Sequence, residues 1–166
     1  MNLLTKYLET YFDEVTYKDF YRDIFPVGVL QCKGKDYYGD RNYNGIIFEV
    51  TDEKLNSGKP KVLRHTLTDD LEKLDEVVSR DNFCLMSPIS YAGKTRDSSM
   101  ARDLYALAFD LDGIQTRIKD GEEWPYGLAN FFHQVDHMMI MPKPTYVVSS
   151  GTGVHLYYVF ERPVPM

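Results

Sequence analysis

Asp110 and Asp112 are separated by one leucine at the end of the apolar run Leu104-Tyr105-Ala106-Leu107-Ala108-Phe109, and Gly113 follows at once. The run predicts a buried strand whose C-terminal end emerges into solvent. Successive strand side chains point to opposite faces, so the two carboxylates fall on one side and Phe109 and Leu111 on the other. Paired oxygens of this kind suit a hard divalent cation, Mg2+ or Mn2+, which also offsets the repulsion between like charges. A second set of chemistry-bearing residues lies in Ser150-Gly151-Thr152-Gly153-Val154-His155. A histidine stands there at the mouth of a glycine-bearing turn, and free backbone N–H groups, the Ser150 hydroxyl and the imidazole predict an anion cradle. Lys94 and Arg96, in a donor-rich loop leading to the acidic strand, are further candidates for binding an anion such as a triphosphate.

The elements that must position these residues follow from periodicity. Leu3, Leu4, Tyr7, Leu8, Tyr11 and Phe12 recur at helical spacing and predict an amphipathic helix over about 2–13. A second helix opens at Thr16 with Asp19 as its capping partner, and Pro26 stops it. Strands are expected from Val27 to Cys32 and from Ile46 to Val50. The loop between them interleaves Lys33, Lys35, Tyr37, Tyr38, Arg41 and Tyr43, a local candidate for a nucleic-acid contact as well as a solvated hairpin loop. After the turn Asn56-Ser57-Gly58-Lys59-Pro60, a strand is expected over Lys61 to Thr66. A helix then begins at Asp69 and Asp70 and buries Leu71, Leu74, Val77 and Val78.

Phe83 to Met86 returns to strand, and Ser87 to Arg96 reads as a loop. Beyond Gly113 a polar connector leads to a helix carrying Tyr126, Leu128, Phe131, Phe132, Val135, Met138 and Met139. His133, Asp136 and His137 on that helix have the spacing of metal ligands but no second ligand cluster, which favours a structural role. The last unit, Thr145 to Ser149 and Val154 to Phe160, predicts an antiparallel hairpin with His155, Tyr157 and Val159 on one face.

A chain of 166 residues with 43% hydrophobic and 14% aromatic residues is expected to be one globular domain. The net charge of -6 does not advertise a nucleic-acid surface, so any such surface must be local. Cys32 and Cys84 lie far apart without a C-x-x-C pattern, as expected for two reduced thiols. No window reaches the roughly 18 apolar residues of a membrane span. The expectation is a soluble, cytoplasmic protein with no membrane partner.

Taken in order, the strand-borne Asp-x-Asp at 110 and 112 and the Gly153-Val154-His155 motif resemble signatures of the archaeo-eukaryotic primase superfamily. The closest likeness is to the primase-polymerase domains of plasmids, phages and integrative elements, over roughly 85–162. The resemblance implies an α+β fold with a central, mainly antiparallel sheet flanked by helices, an RRM-like catalytic core. Residues 1–26 would form a helical extension and 27–166 the core. It implies template-directed nucleotidyl transfer in DNA replication through a two-metal Mg2+ or Mn2+ site held by Asp110 and Asp112. His155, with Ser150, Gly151 and Gly153, would bind the incoming nucleotide, assisted by Lys94 or Arg96. Nucleoside triphosphates, a single-stranded DNA template and a helicase domain or partner are the implied partners. The family's third acid has no obvious counterpart, because Glu161 follows His155 too closely. The expectation is therefore a chain truncated before that motif, or one inactive alone.

Two rivals remain. Phe109-Asp110-Leu111-Asp112-Gly113 also resembles the first motif of haloacid-dehalogenase-type phosphatases, with Asp110 as nucleophile, but only 53 residues follow it for the remaining crossovers. A catalytically incomplete nucleotide- or DNA-binding module is the nonenzymatic alternative.

Overall fold

The computed structural model of the chain describes residues 3–30, 43–80, 82–92, 96–139, 141–150 and 152–166. Cys32 and the residues at 33–41 of the basic and aromatic loop lie outside them. The described residues are α+β, with four helices and mainly antiparallel strands. They fall into two compact units, one of 1–16 with 107–159 and the other of 17–106 with 160–166. This division separates the two N-terminal helices, α1 (Leu3–Tyr11) and α2 (Tyr17–Ile24).

The unit of 17–106 and 160–166 is built on β1 (Tyr43–Lys54) and β2 (Pro60–Leu67). Its register pairs Ile47 with His65 and Val50 with Val62. The turn between them is closed by Gly58 N–H on the Leu55 carbonyl, and Gly58 takes the positive φ that a side chain would resist. Helix α3 (Glu72–Val78) is entered through Asp70, whose carboxylate accepts from the Glu72 amide and the Thr68 hydroxyl. Leu71, Leu74 and Val77 are buried as expected, but Val78 is exposed.

Strands β3 (Phe83–Met86) and β4 (Ile89–Ala92) both run antiparallel to β1. Ser87-Pro88 marks the break between them, where proline has no N–H to give a ladder. The stretch 89–92 is thus a strand, not part of a loop. A 3-10 turn at Ser98–Met100 then opens β5 (Ala101–Leu111), whose early residues pair with β4. Residues 27–30, expected to begin a strand, form a turn after Pro26, with Val29 N–H on the Pro26 carbonyl and Gly28 at positive φ. Val27 points outward and only Leu30 is buried, so the apolar run has one residue to bury rather than a strand face.

In the unit of 1–16 and 107–159, the polar connector after Gly113 is a hairpin of β6 (Arg117–Lys119) and β7 (Glu122–Trp124). Asp120 and Gly121 both have positive φ, the geometry that makes Asp-Gly a favoured two-residue turn. Helix α4 (Tyr126–Met138) follows, and β8 (Tyr146–Ser149) pairs antiparallel with β9 (Val154–Pro165). Leu4 and Tyr7 of α1, Leu128 and Phe132 of α4, and Val154 and Leu156 of β9 form one core. Each such side chain contributes about 1.5–3 kcal/mol by leaving water. The core occupies the sheet face of Leu111, Val147, Leu156 and Tyr158. The opposite face carries Asp110, His155 and Tyr157.

The expected burial of the acidic strand holds only in part. Tyr105 and Ala106 are buried, whereas Leu107, Ala108 and Phe109 are exposed. Phe109 meets Tyr158 edge-on at 5.8 Å between ring centroids but lies outside the set packed around the α1 and α4 core.

Candidate functional site

The C-terminal end of β5 and the start of β9 lie side by side. Gly153 sits against Leu111 and Asp112, and His155 against Asp110, the descending pairing of antiparallel neighbours. His155 Nε2 is 3.4 Å from Asp110 Oδ1, close enough for electrostatic attraction when the imidazole is protonated but longer than a good hydrogen bond. The Asp110 side chain is 62% exposed and that of His155 26%. Among the described residues, His155 is the only ion-pair partner of Asp110, and Asp112 has none.

Gly153 makes this approach possible. A Cβ at that position would lie 2.8 Å from Asp112 Oδ1 and 3.1 Å from the Leu111 carbonyl carbon, and closer still to the Leu111 carbonyl oxygen. Only a residue without a side chain fits there. Tyr157 continues the face beyond His155, with 6.5 Å between their ring centroids. Burial raises the Tyr157 hydroxyl above the usual phenol range, and the Asp110 charge raises it further. Tyr157 was legible as a face-mate of His155, but not as a group within the field of Asp110.

The turn differs from the expected cradle at one point. The Ser150 N–H is not free: it donates to the Gly153 carbonyl at 3.0 Å and closes the hairpin. Gly151 and Lys94 lie outside the described residues. Arg96 belongs to the other unit, where its guanidinium lies over the Phe48 ring at 5.5 Å.

Whether these residues suit a divalent cation depends on the donor set. Among the described residues no group of three or more His, Cys, Asp or Glu side chains could hold a metal ion, so an all-protein cage is not formed. Mg2+ is ordinarily held by one or two carboxylates and completed by water and substrate phosphates. Two exposed carboxylates at a strand end, one kept open by Gly153, fit that kind of ion. Asp110 and Asp112 would hold it.

The histidines of α4 do not form a second such site. The His133 and His137 rings lie 4.5 Å apart, tilted by 57°, while Asp136 is paired with Lys143 at 2.6 Å, which holds its carboxyl below the usual range.

Sequence reasoning missed Glu49, which is 0% exposed in the middle of β1. Its carboxylate accepts from Asn82 Nδ2 at 2.6 Å, His65 Nε2 at 2.6 Å and Arg80 at 2.9 Å. The Asn82 bond leads, with His65 and Arg80, in holding the Glu49 carboxyl below its usual value against the opposing effect of burial. Arg80 also pairs with Glu76, which pairs with Lys73. Cys84, opposite Glu49 in register, has its thiol pushed up by burial and by the Glu49 charge, so it is not an activated nucleophile. The signal was a lone glutamate inside Ile46-Ile47-Phe48-Glu49-Val50.

No family model matches this chain, and neither a curated protein nor a solved structure matches it. Among the described residues, no helix is long and apolar enough to cross a membrane.

Proposed function

We propose that this chain carries the nucleotidyl-transfer core of a DNA primase-polymerase from a mobile element, on an RRM-like α+β scaffold. The observation that supports it most is the approach of His155 to Asp110, with Gly153 seated against Asp112, from segments far apart in sequence. Asp110 and Asp112 would hold Mg2+ or Mn2+, which supplies charge neutralisation for phosphoryl transfer. His155 would orient the triphosphate of the incoming nucleotide, with the Ser150 hydroxyl beside it. The protein's share of the work is positioning, not covalent attack. A single-stranded DNA template and a helicase domain or partner complete the proposal.

The strands that neighbour β5 along its length weigh against the phosphatase alternative. β4 and β9 both run antiparallel to β5, whereas that motif opens a parallel core.

Primer extension on a template with Mn2+ and labelled nucleotides tests the proposal. Extension by the parent protein, lost in Asp110→Asn and in His155→Ala, is the expected result. Manganese-dependent nucleotide binding without extension would reduce the reading to a binding module. Hydrolysis of p-nitrophenyl phosphate dependent on Asp110 would replace it with the phosphatase.

A further inference from the structure

A cleft of about 420 Å3 lies between the β6–β7 hairpin and α4, lined by Arg117, Lys119, Trp124, Tyr126, Asn130 and His133 among others. Two basic side chains and two large rings converge there in a chain whose net charge is -6. The Arg117 guanidinium lies over the Tyr126 ring at 3.6 Å, and Lys119 Nζ over the Trp124 ring at 5.0 Å. Among the described residues neither cation pairs with a carboxylate. Glu122, opposite Lys119 in register, is 3.7 Å from Lys6, and Asp136 is held by Lys143. The hairpin is fixed against the helix at Gly127, whose N–H donates to the Gln115 carbonyl at 2.9 Å and whose Cβ position would be 3.1 Å from the Gln115 nitrogen.

We infer that this cleft binds a single-stranded nucleic acid, with phosphates on Arg117 and Lys119 and an unstacked base against the ring-backed cations. A guanidinium is a planar fork of N–H donors, a geometry that suits the oxygens of a phosphate. Aromatic rings and arginine planes are the surfaces on which unpaired bases stack, and only a single strand offers its base faces. The choice of a nucleic-acid strand over another polyanion rests on the polymerase reading above. The cleft itself uses none of the residues of that site.

Trp124 is the only tryptophan of the chain, so its fluorescence reports on this cleft directly. The test titrates the full chain, without metal, with a short oligothymidylate, with dTTP and with polyglutamate. The expected result is quenching by the oligomer at concentrations at least about tenfold below those needed for dTTP or polyglutamate. The double variant Arg117→Ala/Lys119→Ala should weaken oligomer binding and reduce the salt slope of log affinity by about 1.4, 0.7 for each phosphate contact. The conservative Arg117→Lys should keep the slope and lose only part of the affinity. Asp110→Asn should leave the quenching intact, so loss of extension in that variant would not touch this inference. Absent quenching, equal quenching by dTTP, or equal quenching by polyglutamate would each overturn it.

Discussion

Glu49 and Asp110 each carry a carboxylate on a sheet strand beside a histidine of another strand, His65 at 2.6 Å and His155 at 3.4 Å. Glu49 is fully buried and its oxygens are occupied by an amide, an imidazole and a guanidinium. Asp110 is largely exposed, with His155 as its only ion-pair partner among the described residues. The first arrangement is what a charge must have to survive inside a sheet, since a buried carboxylate left without partners is strongly unfavourable. The second leaves oxygens free for something that is not protein. The two carboxylate–histidine pairs thus differ in how far the carboxylate is already occupied by protein partners among the described residues.

The largest effect should come from breaking the saturated pair. Glu49→Ala leaves the Arg80 charge, His65 and Asn82 without their acceptor and should cost about 3 kcal/mol in urea unfolding, the low end for a broken buried pair because Arg80 is partly exposed. Gly153→Ala should come next, at about 1–3 kcal/mol, because the new methyl group must displace the end of β5. A loss of stability below about 0.5 kcal/mol would show that the strand end yields freely.

The pH dependence sharpens the same contrast. The folded Glu49 carboxyl lies below its ordinary value of 4.5, so it contributes stability above that value and loses it as pH falls through the depressed folded value. Urea midpoints followed downward from about pH 6 should decline through that window, and Glu49→Gln should flatten the decline. A parallel decline in that variant would assign the acid sensitivity to other groups.

Asp110→Asn should change stability by less than about 0.5 kcal/mol, as for an exposed side chain away from the core. Its remaining signature is small. Tyr157 should titrate closer to the usual phenol range once the Asp110 charge is gone, while burial keeps part of the elevation. Ring-labelled tyrosine NMR would read it, and an unmoved Tyr157 would place Asp110 outside its field.

What could be read from the sequence follows the range of the interactions involved. The hairpin of β8 and β9 was legible because alternation and a glycine turn are local, and the four helices because their apolar spacing is. The β6–β7 hairpin was missed although Asp120-Gly121 signals its turn, because the flanking strands are short and mostly polar. Residues 27–30 were misread because an apolar run does not reveal whether a sheet edge exists to receive it. Glu49 was invisible as a site because His65, Arg80 and Asn82 reach it only through pairing and packing that no local pattern encodes.

The approach of His155 to Asp110 was expected from the motifs, while the role of Gly153 needed coordinates. Its neighbours Leu111 and Asp112 are distant in sequence.

The central claim is that Asp110, Asp112 and His155 act together on a divalent cation and a nucleotide's phosphates. Paramagnetic broadening of backbone amides by substoichiometric Mn2+, with and without a nonhydrolysable nucleoside triphosphate, tests it most directly. The account predicts that resonances at 110–112 and 153–155 broaden first, that the nucleotide strengthens the effect, and that Asp110→Asn removes it. Broadening centred elsewhere, or unchanged in that variant, would contradict it.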